Sequence, residues 1–378
     1  MLTKVKRDWP TTRSPIITAE DITQTYRRYL GREPDPIGLE FWINRGQEGM
    51  TLDELARAFI LSDEFRGLNN FDQLSALSNL GSEEPLRLSL SQVGEAEAAI
   101  TLPLVRDKLA RGTFELPEEF ETDLAPLSSD YKDQMLKLWS TITLRSNYNP
   151  SVDEDTPEIS HSDALYRPAF YAAGDTKVSG DHLMALGHLL LLSGLKQGAR
   201  ALEYGAGFGQ IALAFARSGI QVDTVDINKA FSDAVNKAGA YHQAPLKAHV
   251  GAFGDNPAGQ DQFYDLIYFY ESFHHCFDFE DVIPKLYRML KPGGKVMMAG
   301  EPIADGPTPW MPYPWGIRLD IENVTIMRTR GWMELGFQEN FIVSIFEKNG
   351  FVYKKHPLPQ YHYCTTYEFT RPLDVTDQ

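Results

Sequence analysis

The chain has 378 residues, 43% hydrophobic and 23% charged, with a formal net charge of -16. That length suggests more than one domain with ample core, and so acidic a balance argues against gripping nucleic-acid phosphates or anionic lipid. Two cysteines, Cys276 and Cys364, exclude a disulfide framework and a CxxC metal knuckle. The basic start MLTKVKRDWPTTRSP is followed by no apolar run, and the longest apolar stretch, residues 183–195, is broken by Gly187, His188 and Ser193. A cytoplasmic enzyme without a membrane span is expected.

In chain order, Thr18 is placed to cap a helix over AEDITQTYRRYL, where Ile22, Tyr26, Tyr29 and Leu30 recur at helical spacing. Gly31 and the Pro34–Asp35–Pro36 stretch end it. A second helix starts near Pro36 with Leu39, Trp42 and Ile43 on one face, and Thr51 caps a third over LDELARAFILS. These segments, YRRYLGREPDPIGLEFW and LDELARAFILSDEF, resemble a bacterial helical domain family of unassigned function related to phycobilisome-linker sequences. The resemblance implies an accessory module that docks a protein or glycan, although Tyr26, Leu30 and Trp42 read first as a small core. Residues 1–70 are assigned to this all-α domain and 71–150 to a helical linker region, with helices at AEAAITLPLVRDKLARG and SSDYKDQMLKLWSTIT. The Asn-, Pro- and acid-rich stretch 146–160 is the expected domain boundary.

From about residue 180 helices alternate with apolar strands, which predicts a parallel sheet with helical crossovers. Strands are expected at 199–205, 221–228, 246–253, 264–271 and 295–302, followed by a last helix and two closing strands. The first strand ends in ALEYGAGFG, where Gly205, Gly207 and Gly209 allow a sharp turn and close approach to a ligand. A dinucleotide fingerprint would place Gly or Ala at the sixth position, which is Gln210 here. Asp226 ends the second strand, 23 residues after Glu203, where a carboxylate can accept both ribose hydroxyls. Asp265 opens the fourth strand, and Leu-Lys-Pro-Gly-Gly (290–294) forms a turn before the fifth.

Glu203-x-Gly205-x-Gly207-x-Gly209, Asp226, YDLIYFYESFHHCFD and LKPGG, in this order, resemble motifs I and IV to VI of class I methyltransferases. The resemblance implies an α/β domain over 151–378: a Rossmann-like sheet with helices on both faces, S-adenosyl-L-methionine as cofactor and S-adenosylhomocysteine as product. It assigns the cofactor to Glu203, Gly205, Ala206, Gly207, Asp226, Ile227, Phe253 and Glu271, with the acidic Glu203 facing the ligand's ammonium. The third strand departs from the pattern: Ala252 and Phe253 stand where an adenine-binding Asp is usual, and Asp255 is displaced.

Transfer from a sulfonium needs positioning above all, and an oxygen nucleophile also needs a base. His275, then His274, with Glu271 beside them, follow the fourth strand, where open α/β sheets bind ligands. Glu271, His274, His275, Asp278 and Glu301 could surround a divalent ion but read as ordinary active-site polarity, so no metal is assigned. Tyr166, Tyr171, Lys177 and His182 precede the first strand, where the resemblance implies a helix closing over the cofactor. Residues 301–340 form an insertion rich in aromatics and arginines. Trp310, Tyr313, Trp315 and Arg318, with Trp332, Arg328 and Arg330 nearby, suit a small-molecule or saccharide acceptor. The other reading of these aromatics is a packed cap or a homodimer contact. Methyl transfer to oxygen is the leading expectation; N- or C-methylation and a non-catalytic scaffold are the alternatives.

Overall fold

The computed structural model describes residues 17–50, 55, 58–59, 62, 64, 86–100, 109, 111–155, 161–167, 169–358 and 364–374. The chain divides into two compact units, residues 5–112 and residues 113–378 together with 1–4. Among the described residues no helix is long and apolar enough to cross a membrane.

In the first unit α1 (Ala19–Leu30) begins with a capping box between Thr18 and Asp21 and ends at Gly31 in the left-handed region. Helix α2 (Pro36–Gln47) is capped by Asp35 with Pro36 at its first position. Ile22, Tyr26, Leu30, Leu55 and Phe59 make the core, with Trp42 and Ile43 packed against it. Arg32 spends its guanidinium on Glu64, at 2.5 and 2.8 Å. A Cβ on Gly38 would run into the Tyr26 hydroxyl. The Y-R-x-x-L-G-R-x-P-D-x-x-G pattern is therefore accounted for largely by folding. Most of the helix expected after Thr51, and residues 101–108 of the next, lie outside the described residues. Helix α3 covers Val93–Ile100.

The second unit starts well before the expected boundary. Helix α4 (Ser129–Thr143), assigned from sequence to the linker region, buries Tyr131, Met135, Leu138 and Trp139. Tyr131 donates to the Trp315 carbonyl at 2.5 Å, and the two rings lie 5.3 Å apart. Its apolar stripe is a core stripe of this unit, so 113–150 is no separate linker. Residues 146–155 are not a loose connection either, since Glu154 accepts from the Tyr148 hydroxyl and the Met333 amide. After α5 (Thr176–Ser193) come strands β1 (Arg200–Tyr204), β2 (Gln221–Asp226), β3 (Leu246–Val250), β4 (Tyr264–Tyr270) and β5 (Leu290–Ala299). Helices α6 (Gln210–Arg217), α7 (Lys229–Tyr241) and α8 (Phe279–Met289) lie between them.

Strands β6 (Ile303–Ala304), β7 (Trp315–Ile317) and β8 (Leu335–Gln338) follow, with α9 (Ile321–Arg330) between β7 and β8. They form a small sheet of order β6-β8-β7. Helix α10 (Glu339–Lys348) leads to β9 (Val352–His356) and β10 (Thr366–Thr370). The main sheet has order β9-β10-β5-β4-β1-β2-β3. Strands β1 to β5 are parallel, and β10 is antiparallel to both neighbours. The Pro-Gly-Gly turn stands out of β5 as a bulge, where the pairing slips between Tyr264 and Leu266.

Alternation along the strands sorts the core into two layers. Ala201, Val222, Leu266, Tyr268 and Met297 meet α6 and Leu189 of α5. On the opposite face Tyr204 stacks on Phe269 at 5.3 Å, and Phe346 of α10 stacks on Phe369 at 3.8 Å. The sheet is thus a Rossmann-like layer with helices on both faces. Its strand order reverses at β1, between β4 and β2.

Candidate active site

Beyond β1 the chain turns through Gly205, Gly207 and Gly209, with φ of 66°, 50° and 64°. Side chains are disfavoured in that region, but the glycines do different jobs. A Cβ on Gly205 would fall 2.6 Å from Ser272 Cβ, whereas one on Gly207 would meet nothing within 4 Å. The first glycine admits a neighbouring loop, and the second leaves backbone open to a ligand. Asp226 accepts the Gly207 amide at 3.0 Å and the Asn228 amide at 2.8 Å. It thereby ties the turn to β2, while each oxygen retains a second lone pair for a hydroxyl. Burial raises the Asp226 carboxyl, and these two backbone bonds pull it back. Ala206 and Ile227 lie half-buried in the same turns.

Glu203 is placed differently from the expectation of a ligand-facing acid. It shares a face with Tyr268, its cross-strand partner, and is 4% exposed. Its Oε2 accepts from the Tyr268 hydroxyl at 3.1 Å and the Ala212 amide at 3.2 Å. Burial pushes its pKa up to about 8, against the two hydrogen bonds. Strand parity sends this side chain under α6, so Oε2 braces the helix that follows the glycine turn.

Beside the turn, a cavity of about 310 Å³ is lined by Val225, His249, Val250, Gly251, Asp255, Asn256 and Pro257. Asp255 reaches it because a short turn, closed by Ala252 N to Asp255 Oδ2 at 2.8 Å, folds back the residues after β3. Phe253 packs on Tyr204 and Phe269, at 6.0 and 5.8 Å between ring centroids. Its edge would lie 3.6 Å from a Cβ on Gly205. Open backbone at Gly207, the lone pairs of Asp226 and a cavity edged by a carboxylate fit a nucleoside with ribose hydroxyls and an exocyclic amine.

Across β1, the end of β4 leads into Glu271, His274 and His275, the residues expected for acid–base work. Glu271 stands in the left-handed region, with φ 49°, crowded by Gly300, where a Cβ would fall 2.6 Å from Glu271 Cγ. A tight turn over Phe273–His275 follows. Glu301 holds it: Oε1 accepts the amides of Ser272 and Phe273 at 2.9 and 2.8 Å. Oε2 takes the His274 amide at 3.0 Å and meets His274 Nδ1 at 2.8 Å. Four donors on one carboxylate offset the burial that raises it. His274 is buried, which holds its imidazole well below the usual range, and the neighbouring His275 adds to this. His275 is half-buried; its Nδ1 lies 2.6 Å from the Met333 carbonyl. A carbonyl only accepts, so Nδ1 carries a proton, and in the neutral ring Nε2 keeps the lone pair.

The insertion divides unevenly. Trp315 is fully buried: its Nε1 donates to the Pro126 carbonyl at 2.7 Å, and its ring packs on Phe279 at 5.0 Å. It is core and has no free face for an acceptor, a correction to the sequence reading. Arg318 pairs with Asp320 at 3.0 Å and lies over the Trp310 ring at 5.6 Å. Tyr313 is 57% exposed. Trp332, not Trp315, meets His275, edge-on at 5.7 Å. Upstream, His182 of α5 bonds the Tyr270 hydroxyl at 2.9 Å and stacks on Phe170. Tyr166 and Tyr171 are exposed, and Lys177 pairs with Asp181 at 2.7 Å. The residues missed are Glu154 and Glu334; they lie far from the histidines in sequence and meet them only through the fold.

The reversal of strand order at β1, with the glycine turn and Asp226 on one side and the histidine pair on the other, defines a Rossmann-like α/β fold with its candidate site at the switch point. Residues 202–298 match the methyltransferase domain family, and residues 16–69 match a domain family of unknown function. The chain is 29% identical over 102 residues to a ubiquinone biosynthesis O-methyltransferase of Xanthomonas oryzae, covering 27% of this chain and 43% of the relative. It thus spans less than half the length of the curated relatives it matches. Among solved structures, an S-adenosylmethionine-dependent methyltransferase from Aquifex aeolicus aligns at 15% identity, covering 60% of this chain and 100% of that one, with TM-score 0.37. The 1,6-didemethyltoxoflavin-N1-methyltransferase of Burkholderia thailandensis aligns at 16% identity, covering 58% and 93%, with TM-score 0.39.

Proposed function

We propose that this protein transfers a methyl group from S-adenosylmethionine to a hydroxyl of a small-molecule or saccharide acceptor. The donor supplies a methyl already activated on a sulfonium, so the protein must mainly bind, align and exclude water. Asp226 and the open backbone at Gly207 receive the nucleoside half, with Asp255 at the cavity edge and Phe253 backing the turn. Glu271, at the end of β4, lines the methionine side. His275 presents the bare Nε2 through which the acceptor's hydroxyl is activated, beside Trp332 and beneath the insertion that carries Trp310, Tyr313 and Arg318.

The observation that carries this reading is the placement of the Gly207–Asp226 pair and the His274–His275 turn at the ends of adjacent strands, on either side of the order reversal. Transfer to oxygen is supported by the similarity to an O-methyltransferase and by a histidine whose free nitrogen is fixed by Met333. Calorimetric titration should give binding of S-adenosylmethionine and none of NAD; a well-folded protein that ignores S-adenosylmethionine would sink the proposal. His275→Ala should keep cofactor affinity and lose most turnover on an acceptor found by labelled-methyl screening. Unchanged turnover would remove His275 from the chemistry.

A further inference from the structure

The two histidines after β4 are held in the same tautomer by different partners. Met333 fixes His275 with the proton on Nδ1, and the Glu301 carboxylate, acceptor to every donor around it, fixes His274 the same way. In the neutral rings both Nε2 atoms are then bare. His274 Nε2 nevertheless faces a third group, Glu334 Oε2, at 3.5 Å. A ring nitrogen of each histidine and a carboxylate oxygen of Glu334 lie within 4.8 Å of one another. His275 can contribute only Nε2 to such a group, because its Nδ1 is committed to a carbonyl.

A lone pair facing a carboxylate oxygen with nothing positive between them is repulsive in a site this dry. Glu334 is 3% exposed and His274 7%. A proton or a metal cation between them would relieve the contact, and a ring nitrogen of His275 within the same 4.8 Å offers a metal a third ligand atom that a proton does not need. The surroundings add negative charge: Glu301 is buried on one side and Glu154 is bonded to the Met333 amide on the other. The nearby Arg318 is paired with Asp320. A cation seated among the three ligand atoms would remove the repulsion and offset the acidic excess at once.

We propose that His274, His275 and Glu334 bind a divalent transition-metal cation. Two neutral imidazoles and one carboxylate favour zinc, cobalt, nickel or iron over calcium and magnesium, which prefer all-oxygen shells. Glu301 and the Met333 carbonyl supply the outer contacts that such histidines need, each taking the Nδ1 proton and orienting the ring. Three protein ligands leave positions open for an oxygen ligand. In methyl transfer such a cation would take His275 Nε2 as a ligand in place of its role as base, and would lower the pKa of an acceptor hydroxyl whose proton would pass to solvent. That consequence rests on the function proposed above, whereas the site itself does not.

The full-length protein, stripped with a chelator, should bind about one equivalent of Co2+ with visible d–d absorption, and Zn2+ should displace it. Glu334→Gln and His275→Gln should each weaken Zn2+ binding by about 100-fold or more, and Glu301→Gln by about 10–100-fold. Far-UV circular dichroism checks folding; should Glu334→Gln misfold, the half-buried His275→Gln decides. Folded stripped protein that takes up no metal, or uptake unchanged in His275→Gln, overturns the site. Titration of the same samples with S-adenosylmethionine keeps the two proposals separate, since either binding can be lost while the other persists.

Discussion

Glu203→Gln should alter the way stability depends on pH. Burial moves the Glu203 pKa from its ordinary 4.5 to about 8 in the folded chain. Between those values the unfolded chain has released the proton while the folded chain still holds it. The unfolded state then binds fewer protons, so stability falls as pH rises through this window and levels off above it. At about 1.4 kcal/mol per pH unit the whole interval amounts to about 5 kcal/mol as an upper bound, a large fraction of a domain's net stability. Glutamine keeps an acceptor for the Tyr268 hydroxyl and the Ala212 amide but has no proton to lose. Urea unfolding of both proteins at about pH 5 and about pH 8 isolates the effect, because their other titrating groups are shared. The wild type should lose more stability than the variant over that range, by up to several kcal/mol. Parallel losses would show that Glu203 is not held neutral beneath α6.

Gly205→Ala should cost about 1–3 kcal/mol from the Ser272 contact and the left-handed backbone, and should abolish S-adenosylmethionine binding. Gly207→Ala, in open space, should cost only about 1 kcal/mol in thermal melts; equal penalties would refute the division of roles between the two glycines. Asp226→Asn should weaken S-adenosylmethionine by about 10–100-fold in calorimetry, as expected when hydrogen bonds to a charged acceptor lose its charge. Wild-type affinity would remove Asp226 from the ribose site. Tyr131→Phe should destabilise the second unit by about 1–3 kcal/mol by orphaning the Trp315 carbonyl, with cofactor affinity intact. No change in melting would mean that α4 is dispensable to the insertion.

The glycine turn and the strand ends around it were largely legible because their signals are local. Glycines, a strand-ending carboxylate and a Pro-Gly-Gly turn act within a few residues of themselves, and the strands fell close to where apolar runs placed them. What escaped depended on parity and distant partners. Glu203 sits at a motif position, but alternation along β1 points it under α6, which the motif spacing alone does not reveal. Trp315 looks in sequence like any aromatic on a binding loop; only Tyr131, 184 residues upstream, and the Pro126 carbonyl show it to be core. The stretch at 146–160 has the composition of a linker, yet Glu154 in it accepts from the Tyr148 hydroxyl and the Met333 amide. Composition reports how often a residue type is solvated, not whether a partner waits for it.

The Tyr131–Trp315 bond also bears on how this protein could be recombined. The segment over the histidines looks like a cassette, bounded by the end of β5 and the start of α10. Its floor, however, is supplied from upstream by α4 and by residues 146–155. A chimera that exchanged 301–340 alone would set a foreign roof on native walls, and a clone begun at residue 150 would keep the roof and discard its supports. Inheritance of acceptor preference in this architecture should therefore follow two distant stretches of the gene together, and a change of substrate should require them to vary in concert.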